Sequence, residues 1–424
     1  MAKKKGGYKK LHLVKIPTSQ LAMGMHVAQL DRPWLDTPFL LQGFPLEKQS
    51  DLDALRNICE FVYIDVLKTH YLNPDLRENP IAPGTPVTRY ETTTTVEEEI
   101  RQASPLYHES LESIQTLLKS AAADRPLFTK NVKRHIKACV DSIERNPSAM
   151  VWLTRIKHVD QYTAEHCVNV GMLAIALGRH LGVNRQQLEM LGLCGILHDV
   201  GKMKVNQDLL NKQGRLTADE FEHIKLHTTF GRDILLEDSM LPAEVIAAAY
   251  SHHERQDGRG YPEGIGKNLL GFYTRAVSIV DAYDAITSRR CYSAPRASAQ
   301  ALKVLYENSG TQFDQKLVVK FIECIGIYPP GSLVEMDTGE VGVVLSVDAE
   351  NRLLPKVSLL LDPEKRPMSQ QRVIDLQLER ATGTGPQHRV KTVLVDGSFD
   401  IDLEAFTKRN VNTGQTGEIT SQPD

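Results

Sequence analysis

The sequence has no pair of cysteines at the C-x-x-C spacing that metal-binding and redox motifs use. Its six cysteines are scattered, and most of them fall in helical apolar patterns, where they act as small hydrophobic residues. A metal site built on a cysteine set is therefore excluded. Thiols used in this way are typical of a reducing compartment, so the cytoplasm is the expected location.

The chain also lacks a long apolar run and a strong net charge. No apolar segment reaches the length needed to span a bilayer, and the basic start is followed by a stretch too polar and Pro-broken for a signal peptide. A formal net charge of -3 over 424 residues gives no general attraction to nucleic acid or to anionic membranes. We therefore expect neither kind of partner.

The length predicts two or three domains, and composition suggests where they divide. Short strands around one helical pattern predict an α+β regulatory module over residues 1–75. A Pro-, Thr- and Glu-rich stretch over 76–104 is typical of a linker, and two helical patterns over 105–149 predict connecting helices that also offer a homodimer contact. After residue 326 the alternation in SLVEMDTGEVGVVLSV predicts a hairpin within a β module over 327–405, before a disordered tail over 406–424.

The middle of the chain, residues 150–326, is helical almost throughout. One helix begins at Thr217, which forms a capping-box pattern with Glu220. Its inward stripe is predicted to contain Phe221, Ile224 and His227. The fold class is therefore mainly α, with the small α+β module before the helical domain and the small β module after it.

Histidines and carboxylates recur near the ends of five helical segments of this domain. The set consists of His166, His198, Asp199, His227, His252, His253 and Asp281. One buried imidazole is usually a paired core residue, because burial without a partner or a metal is costly. Five imidazoles and two carboxylates together suit two adjacent divalent metals bridged by a carboxylate and a water, with Asp199 as the natural bridge.

Such a pair of metals favours phosphate-ester hydrolysis. The metals lower the pKa of water from about 15.7 towards roughly 7 and neutralise charge on the phosphoryl oxygens. Lys202, one helical turn after His198, is positioned to contact a non-bridging phosphate oxygen or to assist the leaving group. In the following loop, Gly260 and its neighbours allow a close backbone approach, and Tyr261 is a candidate to stack on a nucleobase or to meet a partner protein.

The motifs HDVGK, HHERQDGRGYP and VDAYDAITSRR together resemble the HD-GYP family of bacterial phosphodiesterases over roughly residues 155–325. The segment GMHVAQLDRPWLDTPFLLQGF resembles the small domain that often precedes this catalytic domain. The resemblance implies an HD-superfamily helical core, a binuclear iron or manganese site, and hydrolysis of cyclic di-GMP to pGpG or GMP. It also implies binding of GGDEF-domain proteins through the loop Gly260-Tyr261-Pro262.

Carried over by position, the family's metal ligands correspond to the seven residues of the set above, and all are present. Lys202 matches the phosphate-contacting lysine, and Arg290 matches an arginine near the substrate phosphates. A glutamate that holds a third metal in some members is Tyr162 here, which favours a binuclear site. A second basic residue is replaced by Ser293, with Arg296 nearby.

Three readings of function remain open from the sequence. The first is a metal-dependent phosphodiesterase acting on cyclic di-GMP. The second is an HD hydrolase acting on another cyclic nucleotide, such as cyclic GMP-AMP. The third is a receptor or adaptor that binds the messenger, or a GGDEF-domain protein, with negligible turnover; the complete ligand set argues against this reading.

Overall fold

A computed structural model describes residues 13–21, 23, 25–33, 37–39, 43–46, 48–65, 79–82, 84–156, 162–288, 295–348, 351–383 and 388–413. The predicted fold class is confirmed: a helical domain lies between a small α+β unit and a small antiparallel sheet. Within the described ranges, no helix is both long enough and apolar enough to cross a bilayer.

The elements are numbered in chain order. The helices are α1 (Gln49–Ile58), α2 (Val96–Ala122), α3 (Thr129–Arg145), α4 (Pro147–Leu153), α5 (Tyr162–Leu181), α6 (Arg185–Leu197), α7 (Gln207–Leu210), α8 (Ala218–Leu236), α9 (Ala243–Ser251), α10 (Phe272–Thr287), α11 (Ser298–Glu307), α12 (Gln315–Ile325), α13 (Leu376–Thr382) and α14 (Leu403–Thr413). The strands are β1 (Leu13–Pro17), β2 (His26–Leu30), β3 (Phe44–Pro45), β4 (Phe61–Asp65), β5 (Leu333–Met336), β6 (Val341–Ser346), β7 (Lys356–Leu361), β8 (Pro367–Asp375) and β9 (Val390–Val393).

The N-terminal unit is a four-stranded antiparallel sheet in the order β1-β4-β2-β3, covered by α1. Alternation along β4 turns Val62 and Ile64 inward, as expected for a sheet with one buried face. Leu52 and Leu55 of α1 complete a core that is separate from that of the helical domain. The α+β prediction for this unit is therefore confirmed.

The linker predicted over 76–104 is wrong from Val96 onward, because α2 begins there. Thr95 and Glu98 form a reciprocal capping box, with each backbone N–H donating to the other side chain at 3.2 Å. The Glu-rich composition suggested a linker, but those carboxylates lie at the positive end of the helix dipole and favour a helix start.

Helices α2 and α3 pack into the same hydrophobic core as the helices that follow them. Ile114 and Leu118 of α2 and Ile136 and Val140 of α3 are buried in this core. The segment 105–149 is thus part of the helical domain and does not simply connect two modules. The sequence pattern gave the two helices correctly, but periodicity alone does not say which neighbour an apolar face covers.

Two close backbone contacts bring the predicted site segments together. A Cβ at Gly195 would lie 2.8 Å from the Cα of Gly171, so α5 and α6 approach as closely as two backbones allow. A Cβ at Gly201 would lie 1.9 Å from the carbonyl oxygen of His227. The turn after α6 therefore packs directly against the backbone of α8. Any larger residue at either position would move the histidine-bearing helices apart.

The C-terminal sheet has five antiparallel strands in the order β8-β7-β6-β5-β9, and the predicted β5–β6 hairpin is confirmed. The disordered tail predicted from residue 406 is wrong up to residue 413, because α14 covers this segment. Phe406 is 3% exposed and stacks on Trp152, whose indole N–H donates to Thr407 Oγ1 at 2.9 Å. The polar composition of the tail led to the prediction of disorder, although Leu403 and Phe406 share one apolar face of α14.

A buried ion pair ties the C-terminal residues to the helical domain. The Arg155 guanidinium donates to Asp396 Oδ1 at 2.6 Å and to Ser298 Oγ at 2.7 Å. Burial opposes the charged form of Arg155, but Asp396 outweighs this effect and raises the guanidinium pKa. A buried charge of this kind depends on its partner for stability.

We expect Asp396→Ala to lower the free energy of unfolding by about 3 kcal/mol, because it leaves Arg155 buried without a counter-charge. Denaturant unfolding followed by tryptophan fluorescence measures this change. The matched control, Glu307→Ala, breaks the exposed Lys303–Glu307 pair and should cost less than about 0.5 kcal/mol. Equal effects of the two variants would contradict the role assigned to the buried pair.

Candidate metal centre

The seven residues predicted as ligands lie together in the helical domain. Helix α5 supplies His166, the turn after α6 supplies His198 and Asp199, and α8 supplies His227. The end of α9 supplies the adjacent histidines 252 and 253, and α10 supplies the second carboxylate, Asp281. Their ligand atoms form three overlapping groups, and within each group all atoms lie within 4.8 Å of one another.

Asp199 lies at the centre of this set, and its two oxygens face different histidines. Oδ2 is 3.5 Å from His166 Nε2 and 3.2 Å from His198 Nε2. Oδ1 is 3.5 Å from His227 Nε2 and 3.7 Å from His252 Nε2. A carboxylate arranged in this way can contact one cation with each oxygen.

The backbone fixes which nitrogen each central histidine presents. The Nδ1–H groups of three histidines donate to carbonyl oxygens of their own helices: His198 to Gly195 at 2.6 Å, His227 to Ile224 at 2.7 Å and His252 to Ala249 at 3.0 Å. A carbonyl oxygen only accepts, so the proton is on Nδ1 and the lone pair of Nε2 points to the centre. This is the tautomer that a metal ligand requires.

His166 is oriented by Asp284, a residue to which the sequence reasoning gave no role. Asp284 Oδ2 accepts from His166 Nδ1 at 2.7 Å, and its Oδ1 accepts from the Asn169 amide at 3.2 Å. Tyr107 of α2 donates to Asn169 Oδ1 at 2.7 Å and extends the chain of hydrogen bonds. The available signal was the spacing in DAYD, which puts Asp284 one helical turn after Asp281.

The electrostatics of the centre favour ionised carboxylates and, at three of the histidines, neutral imidazoles. At His166, burial opposes the charged form, but hydrogen bonds with Asp281 and Asp284 outweigh it and raise the pKa. Burial opposes the ionisation of Asp199, but Lys202 and His198 outweigh it and hold the pKa of this carboxyl well below its usual range. Burial, aided by the charge of His198, lowers the pKa of His252 to about 3. Burial also lowers the pKa of His227 and of His253. These are the protonation states that divalent cations bind.

The residues present fit a metal. Within the described part of the chain, His198 Nε2 and Asp199 Oδ1 are buried and have no hydrogen-bond partner. Buried polar atoms normally have partners. Here His198 Nε2 faces Asp199 Oδ2 at 3.2 Å, and Asp199 Oδ1 faces His227 Nε2 at 3.5 Å. A donor set of imidazoles and carboxylates suits first-row divalent metals, and the cluster can hold such ions.

Lys202 and five of the seven predicted ligands line one cavity. Lys202 Nζ is 2.5 Å from Asp199 Oδ2, and its side chain remains partly exposed. The cavity, as bounded by the described residues, has a volume of about 2150 Å³ and is also lined by His166, Asp281 and Tyr261. That space is large enough for a dinucleotide-sized ligand.

The Gly-Tyr-Pro loop folds back onto the paired histidines. A Cβ at Gly260 would lie 2.5 Å from the carbonyl oxygen of His253, and the Tyr261 ring lies 4.7 Å from the His253 ring. Glu254 holds the loop, because its buried carboxylate accepts the backbone N–H groups of residues 263, 264 and 265 at 2.7, 3.0 and 3.0 Å. The sequence reasoning missed this role of Glu254, although it directly follows the histidine pair.

The predicted inward position of Phe221 is wrong. Its side chain is 45% exposed at the cavity wall, and its ring lies 6.1 Å from the Tyr261 ring. The residue lies within the first turn of α8, where the helix extends beyond the core, so continuing the stripe back from His227 overestimated its burial.

Four other positions were named from the sequence, and their outcomes differ. Arg290 and Ser293 fall in 289–294, outside the described residues. Tyr162 begins α5, but its side chain is outside the description. Arg296 is exposed, and its backbone N–H donates to the carbonyl of Ile286 at 3.0 Å.

We expect Asp284→Asn to weaken metal binding by about 10-fold to 100-fold, because it removes the charge that orients and polarises His166. Metal content and metal titration of the purified protein measure this loss. The control Asp219→Asn changes an exposed carboxylate of α8 and should retain full affinity. Unchanged affinity in the Asp284 variant, with circular dichroism like that of the parent, would contradict the orienting role.

Comparison with known families matches three segments of the chain. Residues 13–132 match a domain of unknown function, DUF3391; residues 116–317 match the HD domain; and residues 333–382 match a KOW domain associated with the HD domain. The first match crosses from the N-terminal sheet into α2 and α3. The second begins inside α2 and includes every residue of the centre.

The curated relatives that this chain resembles are named as cyclic dinucleotide phosphodiesterases. The chain is 35% identical to the cyclic di-GMP phosphodiesterase PA4108 of Pseudomonas aeruginosa over 384 residues, 88% of this chain and 92% of that protein. It is 33% identical to a cyclic di-GMP phosphodiesterase of Thermotoga maritima over 168 residues, 39% of this chain and 45% of that protein. It is 30% identical to 3'3'-cGAMP-specific phosphodiesterase 3 of Vibrio cholerae over 169 residues, 40% of this chain and 36% of that protein.

The match to the Pseudomonas protein spans most of both chains, whereas the other two cover less than half of this chain. Together with the HD-domain match and the motifs HDVGK and HHERQDGRGYP, it decides the family. The chain belongs to the HD-GYP phosphodiesterase family, with a DUF3391 domain before the HD domain and a KOW domain after it.

Proposed function

We propose that the protein is a metal-dependent phosphodiesterase that hydrolyses cyclic di-GMP to pGpG, GMP or both. The observation that carries this function is the central carboxylate of Asp199, whose oxygens each face a different pair of histidines beside a large cavity. The names of the Pseudomonas and Thermotoga relatives support cyclic di-GMP as the substrate.

The proposed cofactor is a pair of iron or manganese ions. The proposed ligands are His166, His198, Asp199, His227, His252, His253 and Asp281. His166 and His198, which face Asp199 Oδ2, would help to hold one ion, and the histidines that face Oδ1 would help to hold the other. When bound, the metals would activate water and neutralise charge on the substrate phosphate.

The remaining proposed site residues contact the substrate. Lys202 brings a positive charge to the cavity wall beside Asp199, where it can neutralise a non-bridging oxygen of the phosphate. Tyr261 faces the same cavity and offers a ring to a base. Arg290 is assigned to the substrate phosphates from its position in the family motif alone.

A second candidate substrate is cyclic GMP-AMP. The Vibrio relative named for that activity is 30% identical over 169 residues. The replacement of a basic family residue by Ser293 also leaves the substrate preference open. A receptor without turnover has less support, because every proposed ligand is present and the pocket is preformed.

We further propose a setting for this activity. The five described cysteines are free, which favours a reducing compartment such as the cytoplasm. The Gly260-Tyr261-Pro262 loop is flanked by exposed Asp257 and Arg259 and offers a surface for GGDEF-domain proteins. The N-terminal unit is proposed to regulate the helical domain, and a homodimer is the proposed assembly.

We expect protein purified anaerobically with iron or manganese to convert cyclic di-GMP to pGpG or GMP, as followed by chromatography of the products. Asp199→Ala should lose both metal and activity, because each oxygen of this carboxylate serves one ion. If no product appears with any divalent metal, the enzyme proposal is wrong. If Asp199→Ala keeps its metal and turnover, the bridging assignment is wrong.

Metal analysis of the active protein should find two ions per chain, and three would contradict the conclusion drawn from Tyr162.

Lys202→Ala should keep both ions but lower kcat by about 100-fold, because it removes one charge that stabilises the transition state. Lys204→Ala is the matched control, because Lys204 pairs with exposed Asp124 away from the centre. Loss of metal in the Lys202 variant would assign that lysine to metal retention instead.

A further inference from the structure

We propose that Phe221 and Tyr261 on the cavity wall, with Lys225 beside their rings, form a shelf that binds one purine base of the substrate. This inference rests on the proposed phosphodiesterase function and extends it to two residues that neither the sequence motifs nor the comparisons assign. The shelf comes from two elements that are far apart in sequence: the first half of α8 and the Gly-Tyr-Pro loop.

The three side chains are in mutual contact. The rings of Phe221 and Tyr261 meet edge to face, with centroids 6.1 Å apart and planes at 81°. Lys225 Nζ lies 5.2 Å from the Phe221 centroid and 5.5 Å from the Tyr261 centroid. Phe221 and Lys225 are four residues apart, so one face of α8 presents both.

The shelf is continuous with the metal centre. The Tyr261 ring lies 4.7 Å from the ring of His253 and 6.4 Å from that of His227, both proposed ligands. Phe221 extends the aromatic surface outward from that point, along the wall of the same cavity. A nucleotide whose phosphate is at the metals would therefore have aromatic faces within reach of its base.

Both sides of the shelf are rigid. Tyr261 N donates to the carbonyl oxygen of His253 at 3.3 Å, and the Glu254 carboxylate fixes the loop just beyond Tyr261. Helix α8 is anchored in front of Phe221 by the capping box of Thr217 and Glu220. Preformed aromatic faces bind a base with little loss of side-chain entropy.

The chemistry of the shelf suits a base and favours guanine. Stacking on an aromatic side chain strengthens binding of a base by about 10-fold to 100-fold. The Lys225 ammonium pairs with Glu222 Oε1 at 2.6 Å, and its remaining N–H groups can donate hydrogen bonds but cannot accept them. Guanine offers two acceptors, O6 and N7, on its Hoogsteen edge, where adenine offers one acceptor and one donor. The shelf thus provides a physical reason for preferring a dinucleotide that contains guanine to one that contains only adenine.

The kinetic test replaces Phe221 with alanine in the metal-loaded full-length protein. We expect KM for cyclic di-GMP to rise about 10-fold to 100-fold, with a much smaller change in kcat, because ground-state binding is what is lost. The matched control is Phe128→Ala, which removes an aromatic side chain that is 75% exposed and lies outside the cavity. A fall in kcat without a rise in KM, or no change in either, would overturn the shelf.

Lys225→Met tests the base preference. We expect the ratio of kcat/KM for cyclic di-GMP to kcat/KM for cyclic di-AMP, which has no guanine, to fall about 10-fold, because the variant keeps the apolar stem and loses the donor. An unchanged ratio would remove Lys225 from the shelf.

A binding test separates the shelf from the proposed enzyme activity. Phe221→Trp places a fluorophore on the shelf, and the metal-free protein is titrated with GMP and, for comparison, with ribose 5-phosphate, which has no base. We expect quenching by GMP alone. No response to GMP, or equal responses to both, would overturn the shelf even if turnover is normal. Quenching by GMP in a protein without turnover would keep the shelf and refute the enzyme proposal.

Discussion

The buried carboxylate of Asp199 is the group around which the helical domain is arranged. Four imidazoles from four separate segments lie within 3.7 Å of its oxygens. Such proximity requires α5, α8, α9 and the turn after α6 to converge on one point, and the glycines at 195 and 201 permit the required backbone approach. The burial of so many polar groups is stable only if each is oriented and matched, which explains why each central imidazole has a fixed partner for its second nitrogen.

The sequence was sufficient to predict the members of this centre, because several histidines and carboxylates at inward helix ends are costly to bury unless they bind a metal or one another. It was also sufficient for the helical character of residues 162 to 325 and for the cap at Thr217, which agrees with the structure. It did not identify Asp284 or Glu254, since their roles depend on a ring or a loop distant in sequence. The burial of Phe221 was wrong because periodicity gives the direction of a side chain but not the extent of the core that would cover it.

Composition was the less reliable guide at the edges of the domain. Glutamates that resembled a linker begin α2, and a polar tail contains the apolar face of α14. In both places two or three residues with specific contacts determine the structure, among them the capping pair Thr95–Glu98 and the stacked pair Trp152–Phe406. Averages over ten or twenty residues do not register contacts of this kind.

The Arg155–Asp396 pair has a consequence for how such proteins can be recombined. Arg155 lies eleven positions before His166, the first proposed ligand, and its guanidinium is neutralised by a carboxylate that lies after the KOW match. A chimera that exchanged the C-terminal unit for that of a relative would keep the stability of the HD domain only if the new unit also supplied this carboxylate. The HD domain of this chain therefore depends on its C-terminal unit for a buried counter-charge. The two units would have to be exchanged together.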